Sequence, residues 1–579
     1  MTKLSKLASV LLIVMVVTAL FAGCSPTEEE SGFFNPGKYT GEGDGHEGTV
    51  VVEVEVDSDN ILSVEIVDHQ ETDGIGDAAI NIIPQSIVEG QSLKIDTVAG
   101  ATVSSQAILQ AVEDALAKAG ADIEALKARE PIKGEAETVS RETEIVVVGG
   151  GIAGLAAAIE ARENGAEVIL VEKLPFVGGS TIRSGGKILA AESSIQAALG
   201  VEDNAADFAE FLMEIGEHQV DEEFINLIAH NSGSNIEWLI DRGVEFAQEL
   251  EPLHSYRSPD RGHFAANDSG SGFITPLEQK ALELGVEILY STPAIDLIQE
   301  NGRITGIKAT NDNGDDITIT GKAVILATGG FSRNPDLIDE YFPVAGSFNT
   351  NVGEGNTGDG IIMGLNVGAD VVMPNAGIDL MMNFITGHGY GEEATELFIT
   401  PSGERFMDER DFHFTRTRIL YDYEVDNFWY IIDEKNYDNR VAAAIEAGMA
   451  YEAETVEELA SLINIDTETL KATLERYNEL CELGEDLDFN KPAEYMVPIN
   501  EGNYYALAMM KSNSGTHGGL KINIDSQVID TQGNVIPGLY AAGEVACGQI
   551  LHREYPGSGT AIIAFLTFGR QAGAAAAAE

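Results

Sequence analysis

The densest run of residues able to do chemistry is Gly149-Gly150-Gly151-Ile152-Ala153-Gly154, a G-x-G-x-x-G spacing. It follows an apolar strand, Glu144 to Val148, and opens a helix from Leu155 to Glu163. Gly149 allows a tight turn, Gly151 lets a pyrophosphate approach the backbone, and Gly154 lets helix and strand pack closely. The phosphates then rest on the helix N-terminus around Ala153, where unpaired N–H groups and the dipole favour negative charge. A second strand, Glu167 to Val171, ends in Glu172, placed to accept hydrogen bonds from ribose hydroxyls. Strand, helix, second strand and acid in register predict a dinucleotide site.

Cysteine chemistry is sparse. Only Cys481 and Cys547 follow Cys24, and no C-x-x-C-H occurs, which excludes a haem attachment site and a disulfide framework. No metal site is expected. Electrons, if any move, arrive by another route.

The elements that must position these residues fall into several segments, as 579 residues exceed one hydrophobic core. Residues 1–24 read as a signal peptide: Lys3 and Lys6, an apolar run from Leu7 to Phe21, then Ala22-Gly23-Cys24. Residues 25–36 form a polar, acidic tether. From 37 to 120 lies a compact α+β unit. Its strand Thr49 to Asp57 alternates valines with acids, and its helix after Ser105 places Ile108, Leu109, Val112 and Leu116 on one face. Residues 121–142, charged and holding Pro131 and Gly134, read as a linker. Residues 143–373 are α/β, 374–504 a more variable insert, and 505–579 a return to glycine-punctuated α/β. A formal charge of −61 without a basic block argues against nucleic acid as a partner.

The continuation of the chain carries a family resemblance. Gly178-Gly179-Ser180-Thr181 with Ser184-Gly185-Gly186 resembles the flavin-contacting segment of the fumarate reductase and succinate dehydrogenase flavoprotein superfamily. Ala327-Thr328-Gly329-Gly330, Asn356-Thr357-Gly358-Asp359-Gly360 and Gly538-Leu539-Tyr540-Ala541-Ala542-Gly543-Glu544 resemble three further FAD motifs, in order, over Thr143 to Ala572. The resemblance implies non-covalent FAD in a Rossmann-type domain with an inserted substrate-capping domain. It also places Glu544 near the flavin and aims the N-terminus of the helix after Gly557 at the flavin ring. Asp96 to Ser105, with Gly100-Ala101-Thr102 at its centre, resembles the FMN-binding domain of bacterial electron-transfer flavoproteins, which implies FMN attached by a transferase through its phosphate to Thr102. The N-terminus resembles a bacterial lipoprotein signal, which implies a lipid on Cys24 and an anchor on the extracytoplasmic face of the membrane.

An FMN domain ahead of an FAD domain resembles urocanate-reductase-like ene-reductases, which implies an external electron donor, relay from FMN to FAD, and hydride delivery to substrate. Family fumarate reductases clamp carboxylates with a histidine before Gly-Gly and an arginine in Asn-Arg-Leu-Gly-Gly-Asn. Here the segments are Ser514-Gly515-Thr516-His517-Gly518-Gly519 and His552-Arg553-Glu554-Tyr555-Pro556-Gly557-Ser558-Gly559, which departs from that pattern. The second resembles the Tyr-Pro-Gly-x-Gly of the ketosteroid dehydrogenase branch, which implies that the Tyr555 hydroxyl and the Gly559 N–H bind a ketone oxygen. Two such donors would stabilise the enolate formed as hydride arrives. Arg553 is the alternative, as a carboxylate partner. Gly403-Glu404-Arg405-Phe406-Met407-Asp408-Glu409 resembles the segment that precedes the proton-donating arginine; the donor candidates are Arg416, preferred, then Arg410 and His413, with Tyr421 and Tyr423 as further acids. His388 is a possible substrate contact. The expected function is reduction of an α,β-unsaturated carbonyl, an enone. The alternatives are an unsaturated carboxylate, a ketone dehydrogenase running in reverse, and a flavin electron carrier without a substrate.

Overall fold

The computed structural model describes residues 32–45, 48–71, 76–98, 101–132, 134–252, 259–345, 349–383, 385–386, 397–423 and 427–579. Cys24 and His388 lie outside the described residues. The chain divides into two compact units, Met1–Gly134 and Glu135–Glu579.

In the first unit the strands Gly37–Asp44, Thr49–Val56 and Ile61–Asp68 form an antiparallel sheet in chain order. Val50, Val52, Val54 and Val56 all point inward, as their alternation requires. The helix Thr102–Lys118 rides directly on the first strand. Side-chain carbons added at Gly41 and Gly43 would lie 1.9 and 2.0 Å from the carbonyls of Ala111 and Ala107, so the two glycines set how close helix and sheet come. The stretch 121–142 is not a free linker. Asp122 caps a short helix, Ile123–Ala128, whose Leu126 is buried. The strand Thr138–Glu142 instead belongs to the second unit and pairs in parallel with Asp316–Thr320. Charged composition hid both elements, because one buried leucine and one edge pairing are enough to fix them.

The second unit is built on a six-stranded sheet. Its order is Glu287–Leu289, Val168–Val171, Ile145–Val148, Ala323–Leu326, Val535–Ala541, Gln527–Ile529, parallel except for the last pair. Its three central strands are buried at every position, the pattern of a parallel sheet covered on both faces. The helices Ile152–Glu163 and Thr560–Ala578 cross in close contact. Carbons added at Gly569 and Gly573 would lie 2.4 and 2.3 Å from the carbonyls of Ala153 and Ala157. Thr560–Ala578 is long and apolar enough to cross a membrane, but most of its apolar window is buried inside the protein, which makes it a core helix.

The capping portion is a second sheet centred on the strand Tyr504–Leu520. That strand pairs with Val371–Met382, Asn427–Asp433, Ala450–Ala453 and Asn349–Thr350. The sheet therefore overruns the expected boundaries of 374 and 504, and cap and cofactor portions form one unit.

A buried ion network ties the cap together. Arg405 donates to both oxygens of Glu409, each at 2.8 Å, and to Asp486 at 3.0 and 2.8 Å, while Lys491 Nζ lies 3.1 Å from Glu409. The same guanidinium holds the Asp486 carboxyl below its usual range, against the opposing effect of burial. Replacing Arg405 by Met strands the buried Asp486 carboxylate and leaves Glu409 with Lys491 alone, a loss of about 3–5 kcal/mol. Chemical denaturation should show that loss as a lower unfolding midpoint, and a midpoint equal to that of the parent chain would mean the network contributes nothing.

Candidate functional site

The first glycine loop lies where the central sheet delivers its strands. Gly149 has φ +103, and a carbon added there would meet the Ala327 carbonyl at 2.3 Å. A carbon added at Gly154 would lie 1.9 Å from the Gly149 carbonyl, so this residue permits the helix to start against the strand. At Gly151 an added carbon meets nothing within 4 Å, because the position faces an open cleft.

That cleft, about 810 Å³, is lined by Gly149, Gly151, Ala153, Glu172, Gly179, Ser180, Thr181, Thr328, Gly329, Asp359, Gly543 and Glu544. Glu172 is buried and pinned by N–H donors from Gly150 at 2.7 Å and Leu174 at 2.8 Å. Burial pushes its carboxyl up, and these hydrogen bonds oppose the shift. The cleft suits FAD on its own features: the open backbone at Gly151, the acid at the end of the second strand, and the buried Thr328 hydroxyl, which has no protein partner. Glu544 sits at its far end. One carboxylate oxygen accepts from the Thr516 N–H at 2.8 Å and its hydroxyl at 3.1 Å, the other from Asn356 at 2.9 Å.

A second cavity, about 1510 Å³, shares Ser180, Thr181, Glu544 and Phe565 with the cleft. Ser184, Gly185, Tyr555 and Gly559 line it, with Ile378, Leu380 and Met382 from the cap sheet and Phe414 from the cap helix His413–Tyr423. The Tyr555 ring packs edge-on against Phe414 at 4.7 Å, and its hydroxyl accepts the Ala561 N–H at 2.9 Å. Burial raises that phenol, while hydrogen bonds from the backbone of Ala561 and Gly559 pull it back. The Gly559 N–H thus leans on the tyrosine oxygen.

The remaining predicted residues stand elsewhere. Gly154, Gly178 and Gly186 shape backbone: Gly178 and Gly186 have φ of +126 and +66 and press on Ile182 and Ser269. Arg416 is fully buried in the cap, donating to the Glu409 carbonyl at 2.8 Å over the Phe398 ring, and burial pushes it down to about 10. Arg410 stacks on Tyr495 at 3.8 Å, and His413 lies between Phe412 and Phe414. Tyr421 donates to the buried Asp379 at 2.6 Å, and Tyr423 is exposed against Phe406. Arg553 is half-buried near Tyr421. None of these six side chains is among the described residues lining the cavity. Burial pushes His517 down to about 4, so it is neutral and unsuited to clamp an anion. Lys173, which donates to Asp359 and Thr357 at 2.6 Å each, and Phe565 escaped the sequence reading. A base directly after the strand-ending acid was the one available signal.

In the first unit Thr102 is exposed at the start of its helix. Ser105 locks the preceding turn by accepting from the Val98 N–H at 3.0 Å and donating to the Ala101 carbonyl at 2.8 Å, and Ser104 hydrogen-bonds the buried Glu71.

Two glycine replacements separate binding from folding. Gly151→Val fills only open cleft and should leave the protein folded with FAD affinity roughly tenfold or more weaker. Gly154→Val drives a side chain into backbone and should abolish folding. Equilibrium dialysis of FAD with circular dichroism checks both, and unchanged affinity in Gly151→Val would displace the cofactor from this loop.

Residues 144–562 match the family described as FAD binding domain, and residues 45–117 match the FMN-binding domain. The chain is 34% identical to a urocanate reductase of Eggerthella lenta, over 97% of this chain and 96% of that protein. It is 31% identical to an NADH:acrylate oxidoreductase of Vibrio harveyi over 94% of this chain, spanning 61% of that longer protein. Among solved structures, 3-ketosteroid-delta4-(5alpha)-dehydrogenase from Rhodococcus jostii RHA1 superposes with a TM-score of 0.65 at 28% identity, over 77% of this chain and 100% of that one. The cofactors of the present chain are FAD and covalently bound FMN. The chain belongs to the FAD binding domain family, within the fumarate reductase and succinate dehydrogenase flavoproteins, and is a flavin-dependent oxidoreductase.

Proposed function

We propose that this chain reduces a carbon–carbon double bond conjugated to a carbonyl, with an α,β-unsaturated ketone as the substrate class. The observation that carries this reading is the Tyr555 hydroxyl in the wall of the second cavity. Its oxygen is already held by the Ala561 N–H at 2.9 Å, which leaves its proton for an acceptor inside the cavity. N–H donors at the start of the helix Thr560–Ala578 polarise that hydroxyl and strengthen it as a donor. Gly559 contributes through the tyrosine oxygen. A substrate carbonyl accepting from Tyr555 gains most when negative charge collects on it. Phe264, Phe414, Ile378, Leu380 and Met382 give the cavity an apolar stretch of wall for the reacting bond.

Bound FAD supplies hydride chemistry and FMN one-electron entry. Proton delivery we assign to the cap helix His413–Tyr423, whose Phe414 lines the cavity; Arg416 on it would have to leave the Glu409 carbonyl to reach a substrate. Arg553 belongs to the second reading, an unsaturated carboxylate, which the urocanate and acrylate enzymes favour by their names. We also assign FMN attachment to Thr102 and a lipid anchor facing the extracytoplasmic side to Cys24. The exposed hydroxyl at a helix start supports the first, and the Ala22-Gly23-Cys24 pattern supports the second. An FMN transferase and an external electron donor complete the set of partners.

Tyr555→Phe keeps the ring and removes the donor. Single-turnover reoxidation of the reduced flavin by a cyclic enone should slow by roughly a hundredfold or more, with a smaller change in substrate binding. If the parent enzyme accepts only an acrylate, and Arg553→Met is the damaging change, the carboxylate reading replaces the ketone one. Intact mass of protein from the membrane fraction tests the two attachments together. The FMN increment should vanish in Thr102→Ala while FAD stays bound, and the chain should begin at a lipid-bearing Cys24. A variant that keeps the FMN mass, or a chain that keeps residues 2–23, overturns the respective assignment.

A further inference from the structure

The second cavity is mostly apolar, yet it contains charge that catalysis at Tyr555 does not use. Among the described residues its basic side chains are Arg183 and Lys187, and its acids are Glu251 and Glu544. Glu544 is occupied by Thr516 and Asn356. Arg183 reaches Glu354 at 3.4 Å, a carboxylate that also takes Arg333 at 3.0 Å. What remains is Lys187, whose ammonium lies 3.3 Å from Glu251.

That pair is unequal. The Lys187 side chain is 14% exposed and the Glu251 side chain 64%. Lys187 is built in: it opens the strand Lys187–Leu189, stands opposite Phe264 in the antiparallel pairing, and holds its ammonium 5.1 Å from the centre of that ring. A carbon added at Gly262 would lie 2.4 Å from Lys187 Cε, so the neighbouring strand carries a glycine where the lysine stem passes. Glu251, by contrast, can turn into solvent with little lost, as exposed ion pairs are weak. The strand is also tied to the Tyr555 loop, since the Leu189 N–H donates to the Gly559 carbonyl at 3.4 Å. In a chain with 34 basic and 95 acidic residues, a partly buried ammonium in an apolar cavity is a selective feature for an anion.

We propose that Lys187 anchors a carboxylate that the substrate carries apart from its reacting double bond, with Glu251 holding the site until the substrate displaces it. This rests on the reading of the second cavity as the substrate site. The substrate class is then an enone acid: a conjugated carbonyl at Tyr555, an apolar body along Phe264, Leu380 and Phe414, and a distal carboxylate at Lys187.

The test compares a cyclohexenone bearing a carboxymethyl arm with its methyl ester. Oxidised holoenzyme is titrated with each, and binding is read from the flavin absorbance, so no turnover is required. The acid should bind roughly tenfold or more tightly than the ester, the scale of a charge-assisted hydrogen bond. Lys187→Met should collapse that ratio, Lys187→Arg should restore part of it, and Glu251→Gln, an exposed change, should enlarge it. FAD retention on gel filtration reports that each variant is folded. An acid that binds no tighter than its ester in the parent enzyme overturns the anchor, as does a ratio that Lys187→Met and Glu251→Gln both leave in place. Reoxidation of the reduced flavin by the same compounds reports separately on the ketone reading. If the ratio moves but neither compound accepts electrons, the anchor stands and the conjugated ketone falls; if the ester reoxidises the flavin while the ratio stays fixed, the reverse holds.

Discussion

Everything at the site depends on how closely two helices cross. Gly569 and Gly573 present bare backbone to the carbonyls of Ala153 and Ala157, and no side chain larger than hydrogen fits between them. The helix Ile152–Glu163 begins at the cleft, and the helix Thr560–Ala578 begins at the second cavity. Their separation therefore sets the distance between the cleft and the Tyr555 hydroxyl proposed to hold a substrate. A methyl group at either glycine would push Ala561 and Phe565, which ride on that helix, away from the cleft, and with them the Tyr555 hydroxyl that the Ala561 N–H holds.

The second dependency is electrostatic. This chain is strongly acidic, yet the carboxylates around the site are nearly all consumed locally: Glu172 by two backbone N–H groups, Glu544 by Thr516 and Asn356, Asp359 by Lys173. Burial alone would drive Glu172 and Glu544 to protonate, and their hydrogen bonds oppose it. The second cavity that remains is mostly apolar, with charge at Arg183, Lys187, Glu251 and Glu544.

Much of the cofactor cleft was legible in the sequence because its signals are local. Gly149, Gly151 and Gly154 each do work that depends on a missing side chain, and their spacing along one strand–turn–helix is the geometry itself. Tyr555 was legible for a similar reason, being embedded in a loop whose path Pro556, Gly557 and Gly559 dictate. The substrate side was less so. Lys187 meets Phe264 and Gly262 only through an antiparallel pairing across some seventy-five residues of sequence, and nothing near it in the chain announces that contact. Arg416 shows the opposite failure. The segment around Arg405 and Glu409 carries a family pattern, but those two residues spend their charge on Asp486 and Lys491, and the register of the following helix turns Arg416 inward.

The strand Tyr504–Leu520 runs without interruption from the cap sheet to the wall of the cleft. Near its end Ser514 faces the second cavity, and Thr516, two positions on, holds the carboxylate of Glu544. Ser514 and Thr516 thus sit on one continuous piece of backbone, so the wall of the second cavity and the partner of Glu544 are not positioned independently.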